Sequence, residues 1–243
     1  HSNYEHLYTK EKDFREFFDN RDIRNFKHII FVSNQAKDSF LKYYKEEETK
    51  CLVLNNFINT KEIEEKKKVK IEEKKPKDKT LFMFIGRLDD TSKKLGRAIH
   101  LIKEIKKAEL WIIGDGKDKD KYQEMVKKEK LENRIKFLGA KKNPFPYMNI
   151  ADYIILTSDY EGFPVTYLEA ITLHKPLITT IDVSDDKLDI GKDYAFIISK
   201  DQQEMVNQVK EILKENKKPK KIDVEKLQST RIDDFEKLFD GVI

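Results

Sequence analysis

Cysteine is nearly absent from this 243-residue sequence. Cys51 stands alone, which excludes an internal disulfide and argues against a structural zinc site. Long apolar runs are missing too. The longest are about five residues, against the ~20 needed to cross a bilayer. No charge sign dominates: 49 basic and 45 acidic residues leave a formal charge of +4. The charges alternate along the chain, so there is no nucleic-acid footprint. His1-Ser-Asn-Tyr-Glu has neither an initiator methionine nor the basic-then-apolar pattern of a secretory leader. These absences imply a soluble cytoplasmic protein and a piece of a longer chain. The five histidines form no metal-binding pair, and no G-x-S-x-G elbow occurs. Asp118-Lys-Asp120 and Asp182-Val-Ser-Asp185-Asp186 lack metal-ligand spacing and read as solvated loops. His174, just before Pro176 at the end of a helical stretch, reads as structural.

What is present is a rhythm. Apolar runs at 81–85, 110–113, 135–138, 153–156, 177–180 and 195–198 alternate with helical patterns around 99–106, 121–131 and 202–213. Such alternation, with strands apolar on both faces, predicts a doubly wound parallel α/β sheet. Upstream, a helix is expected at 12–18, strands at 28–33 and 51–54, and a helix from Asn34 capped by Ser33 or Asn34. Residues 60–79 are nearly all Lys and Glu, with Pro76 near their end, and read as a solvated helix or linker. The tail at 223–239 has the spacing of an amphipathic helix. Glycine is scarce, eight in all, yet Gly86, Gly114, Gly116, Gly139 and Gly162 each follow a predicted strand. In open α/β sheets that edge is where ligands bind.

One stretch concentrates the chemistry: Thr157-Ser-Asp-Tyr-Glu161-Gly162-Phe163-Pro164-Val165-Thr166-Tyr-Leu-Glu169-Ala170. It follows an apolar strand and leads into a helix. Pro164 is tolerated at the helix start, and Gly162 is expected to permit a tight turn and close ligand approach. Strand, turn and helix N-terminus together suit a phosphate. Glu161 and Glu169 bracket the turn, about 12 Å apart along a helix rising ~1.5 Å per residue. That separation suits two parts of one long ligand better than one metal ion.

Glu161-Gly-Phe-Pro-Val-Thr-Tyr-Leu-Glu169 resembles the E-x7-E motif of retaining family 4 glycosyltransferases of the GT-B fold, the group 1 glycosyltransferases. Gly86-Arg87-Leu88 followed by Lys93-Lys94 resembles their G-R-L…K segment, and the downstream Ala98-Ile99 aligns Lys93 rather than Lys94 with the motif lysine. Phe137-Leu-Gly139 with Ala140-Lys141-Lys142 matches the segment whose backbone reads the base. The Gly114-Asp-Gly116 turn either faces the cleft, as in the family, or is a plain tight turn.

The resemblance covers roughly residues 28–240. It implies a Rossmann-like donor-binding domain at 80–221, a remnant of the N-terminal acceptor domain at 1–57, a charged linker at 58–79 and a crossing helix at 222–243. It implies Arg87, Lys93 and Glu161 as catalytic residues. Gly86, Gly162, Phe163, Pro164, Val165, Thr166 and Glu169 would bind the donor. Glu161 would take the sugar hydroxyls, Glu169 the ribose diol, and the Val165 and Thr166 amides phosphate. No cofactor and no obligatory metal are implied, because Arg87 and Lys93 would supply the positive charge. The donor would be a UDP- or GDP-sugar and the acceptor a glycan or lipid-linked glycan, in polysaccharide synthesis at the inner face of the membrane. Membrane contact would come through an N-terminal domain this chain lacks, and no nucleic acid is involved. The Asp-rich run after Thr180 replaces the family's glycines. Two other classes stay open: a non-catalytic sugar-nucleotide module, and a nucleotide-sugar epimerase of the same fold.

Overall fold

The computed structural model describes residues 11–182, 194–216, 222–225 and 236. Chain order begins with α1 (Glu11–Asp19), β1 (Ile29–Phe31), α2 (Asn34–Leu41) and β2 (Cys51–Val53). Short 3-10 segments lie at Ile23–Asn25 and Lys45–Lys50. β1 and β2 pair in parallel. The Ser33 hydroxyl, not Asn34, caps α2 by accepting the Ala36 amide at 3.2 Å. Phe18, Phe31, Phe40 and Tyr44 form a separate aromatic core here.

From Thr60 the chain builds the larger unit. Its elements are α3 (Thr60–Lys66), β3 (Thr80–Ile85), α4 (Leu95–Glu104), β4 (Ala108–Ile113), α5 (Lys119–Lys128), β5 (Ile135–Gly139), α6 (Phe145–Ile150) and β6 (Tyr153–Leu156). α7 (Val165–Thr172), β7 (Leu177–Thr179), β8 (Ala195–Ile197) and α8 (Gln202–Glu215) follow. The six strands run parallel in the order β5-β4-β3-β6-β7-β8. Counted from β3, this is the Rossmann order 3-2-1-4-5-6.

Alternation along each strand explains the double winding. Leu81, Met83, Trp111, Ile113, Ile154 and Leu156 enter one core with Ile63, Tyr147 and Leu168 from α3, α6 and α7. Phe82, Phe84, Leu110, Ile112, Tyr153 and Ile155 enter the opposite core with Ile99, Tyr122 and Met205 from α4, α5 and α8. Successive side chains point to opposite faces, so a strand covered on both sides must be apolar throughout.

Two expectations change. The charged linker is not wholly solvated: Asn59 caps α3 through the Glu62 amide, and Ile63 is 3% exposed within the core. One isoleucine among lysines and glutamates gives almost no periodic signal. Asp118 is not a loose loop residue either, since its carboxylate accepts the Asp90 amide at 2.8 Å. The predicted tail helix and Asp185-Asp186 lie outside the described residues except 223–225 and 236. His174 meets its structural expectation. It sits at φ 52 after α7, where its amide bonds Ile171 O and the Lys175 amide bonds Ala170 O. That is a Schellman stop with histidine in the usual glycine place.

Candidate functional site

Strand order reverses between β3 and β6, and ligands of open parallel sheets bind beyond the strand ends at such a switch. β3 delivers Gly86 and Arg87 to that edge, and β6 delivers 157–164. The Arg87 side chain is exposed. Lys93 folds back across Gly86: a Cβ added at Gly86 would lie 3.7 Å from Lys93 Cε.

Lys93 Nζ lies 2.6 Å from Glu161 Oε1, with the side chains 17% and 11% exposed. The Ser158 hydroxyl donates to the same oxygen at 2.6 Å. Thus the lysine expected at a diphosphate and the glutamate expected at a sugar hold each other. Lys94 goes elsewhere, to Asp159 at 3.6 Å. The two neighbouring lysines are therefore not equivalent.

α7 begins at Val165 after an N-cap proline that offers no side-chain hydrogen bond, and its first turn has no acidic residue. Its leading amides, those of Val165 and Thr166, have no intrahelical acceptor and carry the positive end of the helix dipole. Val165 is 40% exposed.

Glu169 lies one residue past the middle of α7. Burial pushes its carboxyl up to about 7. Among the described residues it has no ion pair. A half-buried carboxylate without a cation is disfavoured, unless donors arrive with a ligand. Glu161 and Glu169, eight residues apart, thus occupy opposite electrostatic settings.

The glycines divide. A Cβ at Gly114 (φ 150) would fall 1.9 Å from Gly86 O, and one at Gly116 2.5 Å from Leu88 O. These two glycines let the 114–118 turn bond Leu88, through Leu88 N to Asp115 O and Asp118 N to Leu88 O. Of the two readings of that turn, tight packing accounts for the residues. Gly162 is buried at an ordinary φ, so the backbone angle does not require glycine there. The Phe163 ring is 3% exposed in the core, and its carbonyl accepts Asn56 Nδ2 at 2.6 Å. Among the described residues, no group of three or more His, Cys, Asp or Glu gathers as a metal site.

Residues 65–226 match the family model described as glycosyl transferases group 1. The chain belongs to the group 1 glycosyl transferases. An uncharacterized glycosyltransferase of Methanocaldococcus jannaschii is 30% identical over 159 residues, covering 63% of this chain and 39% of that protein. The N-acetylgalactosamine-N,N'-diacetylbacillosaminyl-diphospho-undecaprenol 4-alpha-N-acetylgalactosaminyltransferase of Campylobacter jejuni is 31% identical over 133 residues, covering 54% and 35%. The chain thus spans well under half of these relatives. Among solved structures, Anabaena HepE in complex with UDP-glucose superposes with a TM-score of 0.73 at 15% identity, covering 94% of this chain and 69% of that one. Sucrose-phosphate synthase of Thermosynechococcus elongatus gives 0.75 at 16%, covering 98% and 65%. These likenesses show the GT-B glycosyltransferase fold.

In this group 1 glycosyl transferase Gly86, Lys93 and Glu161 meet at one edge of the sheet. Sequence reasoning missed Ser158, Arg97 and Asn56. Ser158 lies three residues before Glu161 and Arg97 four after Lys93. Those spacings were the only available signal, and neither separates them from ordinary loop and helix residues.

Proposed function

We propose that the protein is a retaining hexosyltransferase of family 4, and that this chain is its donor-binding half. The observation that carries this reading is the contrast along one turn and helix. A paired Glu161–Lys93 lies by the uncapped start of α7, and a half-buried Glu169 without an ion pair lies farther along. A nucleoside-diphosphate sugar supplies matching groups in that order. Its sugar hydroxyls donate to Glu161. Its diphosphate takes Lys93, Arg87 and the Val165 and Thr166 amides. Its ribose diol brings two neutral donors to Glu169, which needs donors but has no cation.

In the transfer, the bond between the anomeric carbon and the diphosphate oxygen breaks, the acceptor hydroxyl oxygen bonds that carbon on the same face, and the hydroxyl's proton passes to the departing diphosphate. The departing diphosphate gains charge. Fixed cations and amides near it stabilise this charge without rearrangement, so no metal is obligatory in this reading. The relatives favour a UDP-sugar over a GDP-sugar as the first to test, since HepE is seen with UDP-glucose. The Campylobacter enzyme's name, with its undecaprenol-linked substrate, favours a glycan or lipid-linked acceptor in polysaccharide synthesis. Residues 1–57 are read as the end of an acceptor domain, whose other part would touch the membrane's inner face. With one cleft wall, the chain binds donor incompletely and does not transfer. Orienting an acceptor contributes ~7–11 kcal/mol of barrier lowering.

The test is thermal unfolding of this chain with UDP, GDP and their glucose and mannose conjugates. A rise in Tm with a nucleotide sugar is expected. No shift with any of them would contradict the reading.

A further inference from the structure

The loops carrying Lys93 and Glu161 come from different strands, and a seam of polar contacts joins them. The Thr157 hydroxyl donates to Lys94 O at 3.0 Å. The Asp159 amide donates to Ser92 O at 2.8 Å. One side chain crosses the seam at two points. Arg97 Nη1 donates to Thr157 O at 3.0 Å, and Nη2 lies 2.7 Å from Asp159 Oδ1. Arg97 is 19% exposed and Asp159 31%.

Two features argue that this contact is more than packing. Arg97 sits in the first turn of α4, where the helix dipole disfavours a cation. Its place therefore depends on the acceptors that the β6–α7 loop presents. The loop it grips also leads directly into Ser158, whose hydroxyl bonds Glu161. A guanidinium holds a carbonyl and a carboxylate through a rigid planar fork, whereas an ammonium holds such a pair only through a rotatable point charge.

We propose that Arg97 is a positioning residue. Through Asp159 and the Thr157 carbonyl it locks the β6–α7 loop onto the β3–α4 loop, so that Glu161 and Lys93 are set for the donor together. This rests on the donor reading above. Arg97 touches no donor atom itself.

The experiment pairs two readouts on this chain. Hydrogen exchange at the 157–162 amides reports the lock without any ligand. Calorimetry with UDP-glucose and with UDP reports its consequence. In Arg97→Ala, exchange at these amides should accelerate while the β3 and β4 cores stay protected. UDP-glucose should bind about tenfold more weakly, a size typical of coupled side chains, and UDP should change less. Arg97→Lys should recover only part of the loss. Arg97→Ala with Asp159→Ala together should cost no more than the Arg97 change alone. Unchanged exchange in Arg97→Ala overturns the proposal whatever the ligand result. Equal losses for UDP and UDP-glucose, or additive losses in the double variant, overturn it as well. If the unaltered chain binds neither nucleotide, the donor reading falls, and accelerated exchange still supports the lock.

Discussion

Two glutamates of one motif behave as different chemical objects. Glu161 faces an ammonium and a hydroxyl within 2.6 Å, whereas burial alone lifts Glu169 to about 7 from the usual 4.5. The sign of the Glu169 effect follows from linkage. A folded-state pKa above the unfolded one means that the native chain holds the extra proton between pH ~4.5 and ~7. Stability should therefore fall as pH rises across that window, by about 3 kcal/mol if the whole shift were realised. Glu169→Gln should flatten this slope in urea titrations at pH 5 and pH 8; an unchanged slope would place the titration elsewhere. Ligand hydroxyls bond a carboxylate more strongly than a carboxyl. UDP should accordingly bind more tightly at pH 8 than at pH 6 and release protons, which calorimetry in buffers of different ionisation heat would detect. Invariant affinity would contradict a ribose role for Glu169.

At the level of elements, glycines act by permitting backbones to meet. Gly114→Ala would drive a Cβ into Gly86 O and should cost about 3 kcal/mol or more. Gly139 has open space around its Cβ position but φ 72, so Gly139→Ala should cost only about 1–2 kcal/mol. Urea midpoints of the two variants test this order. Ile63→Ala should cost about 2–5 kcal/mol if α3 belongs to the core, and no loss would restore the solvated-linker reading. The six strands of the large sheet were legible because each is an apolar run bounded by turn residues, and all six appear within two residues of the expected ends. The motif stretch was legible as strand, turn and helix start; that Lys93 pairs with Glu161 and Lys94 with Asp159 is set by the fold. Ile63 was not legible, because a single apolar residue in a charged helix has no periodicity. The Asn56–Phe163 and Arg97–Asp159 contacts were not, because their partners stand 107 and 62 residues apart in sequence and only the fold brings them together.

For the molecule as a whole, the switch between β3 and β6 gathers Lys93, Glu161 and the uncapped start of α7 at one edge, and in the proposed function this edge reads a nucleotide sugar from both ends. If the proposed transfer is right, the cations here should sustain it in EDTA; a strict requirement for added divalent ion would refute that part. The most direct measurement is a calorimetric titration of this chain with UDP and UDP-glucose, before and after Glu161→Gln and Glu169→Gln. Removing Glu161 should cost UDP-glucose about 10–100-fold, the size of a charge-assisted hydrogen bond. It should also leave UDP unchanged or tighter, because Lys93 is released from its partner. Removing Glu169 should weaken both ligands. Equal losses for both ligands in both variants would contradict the division of roles, and with it the reading of this edge as a donor site.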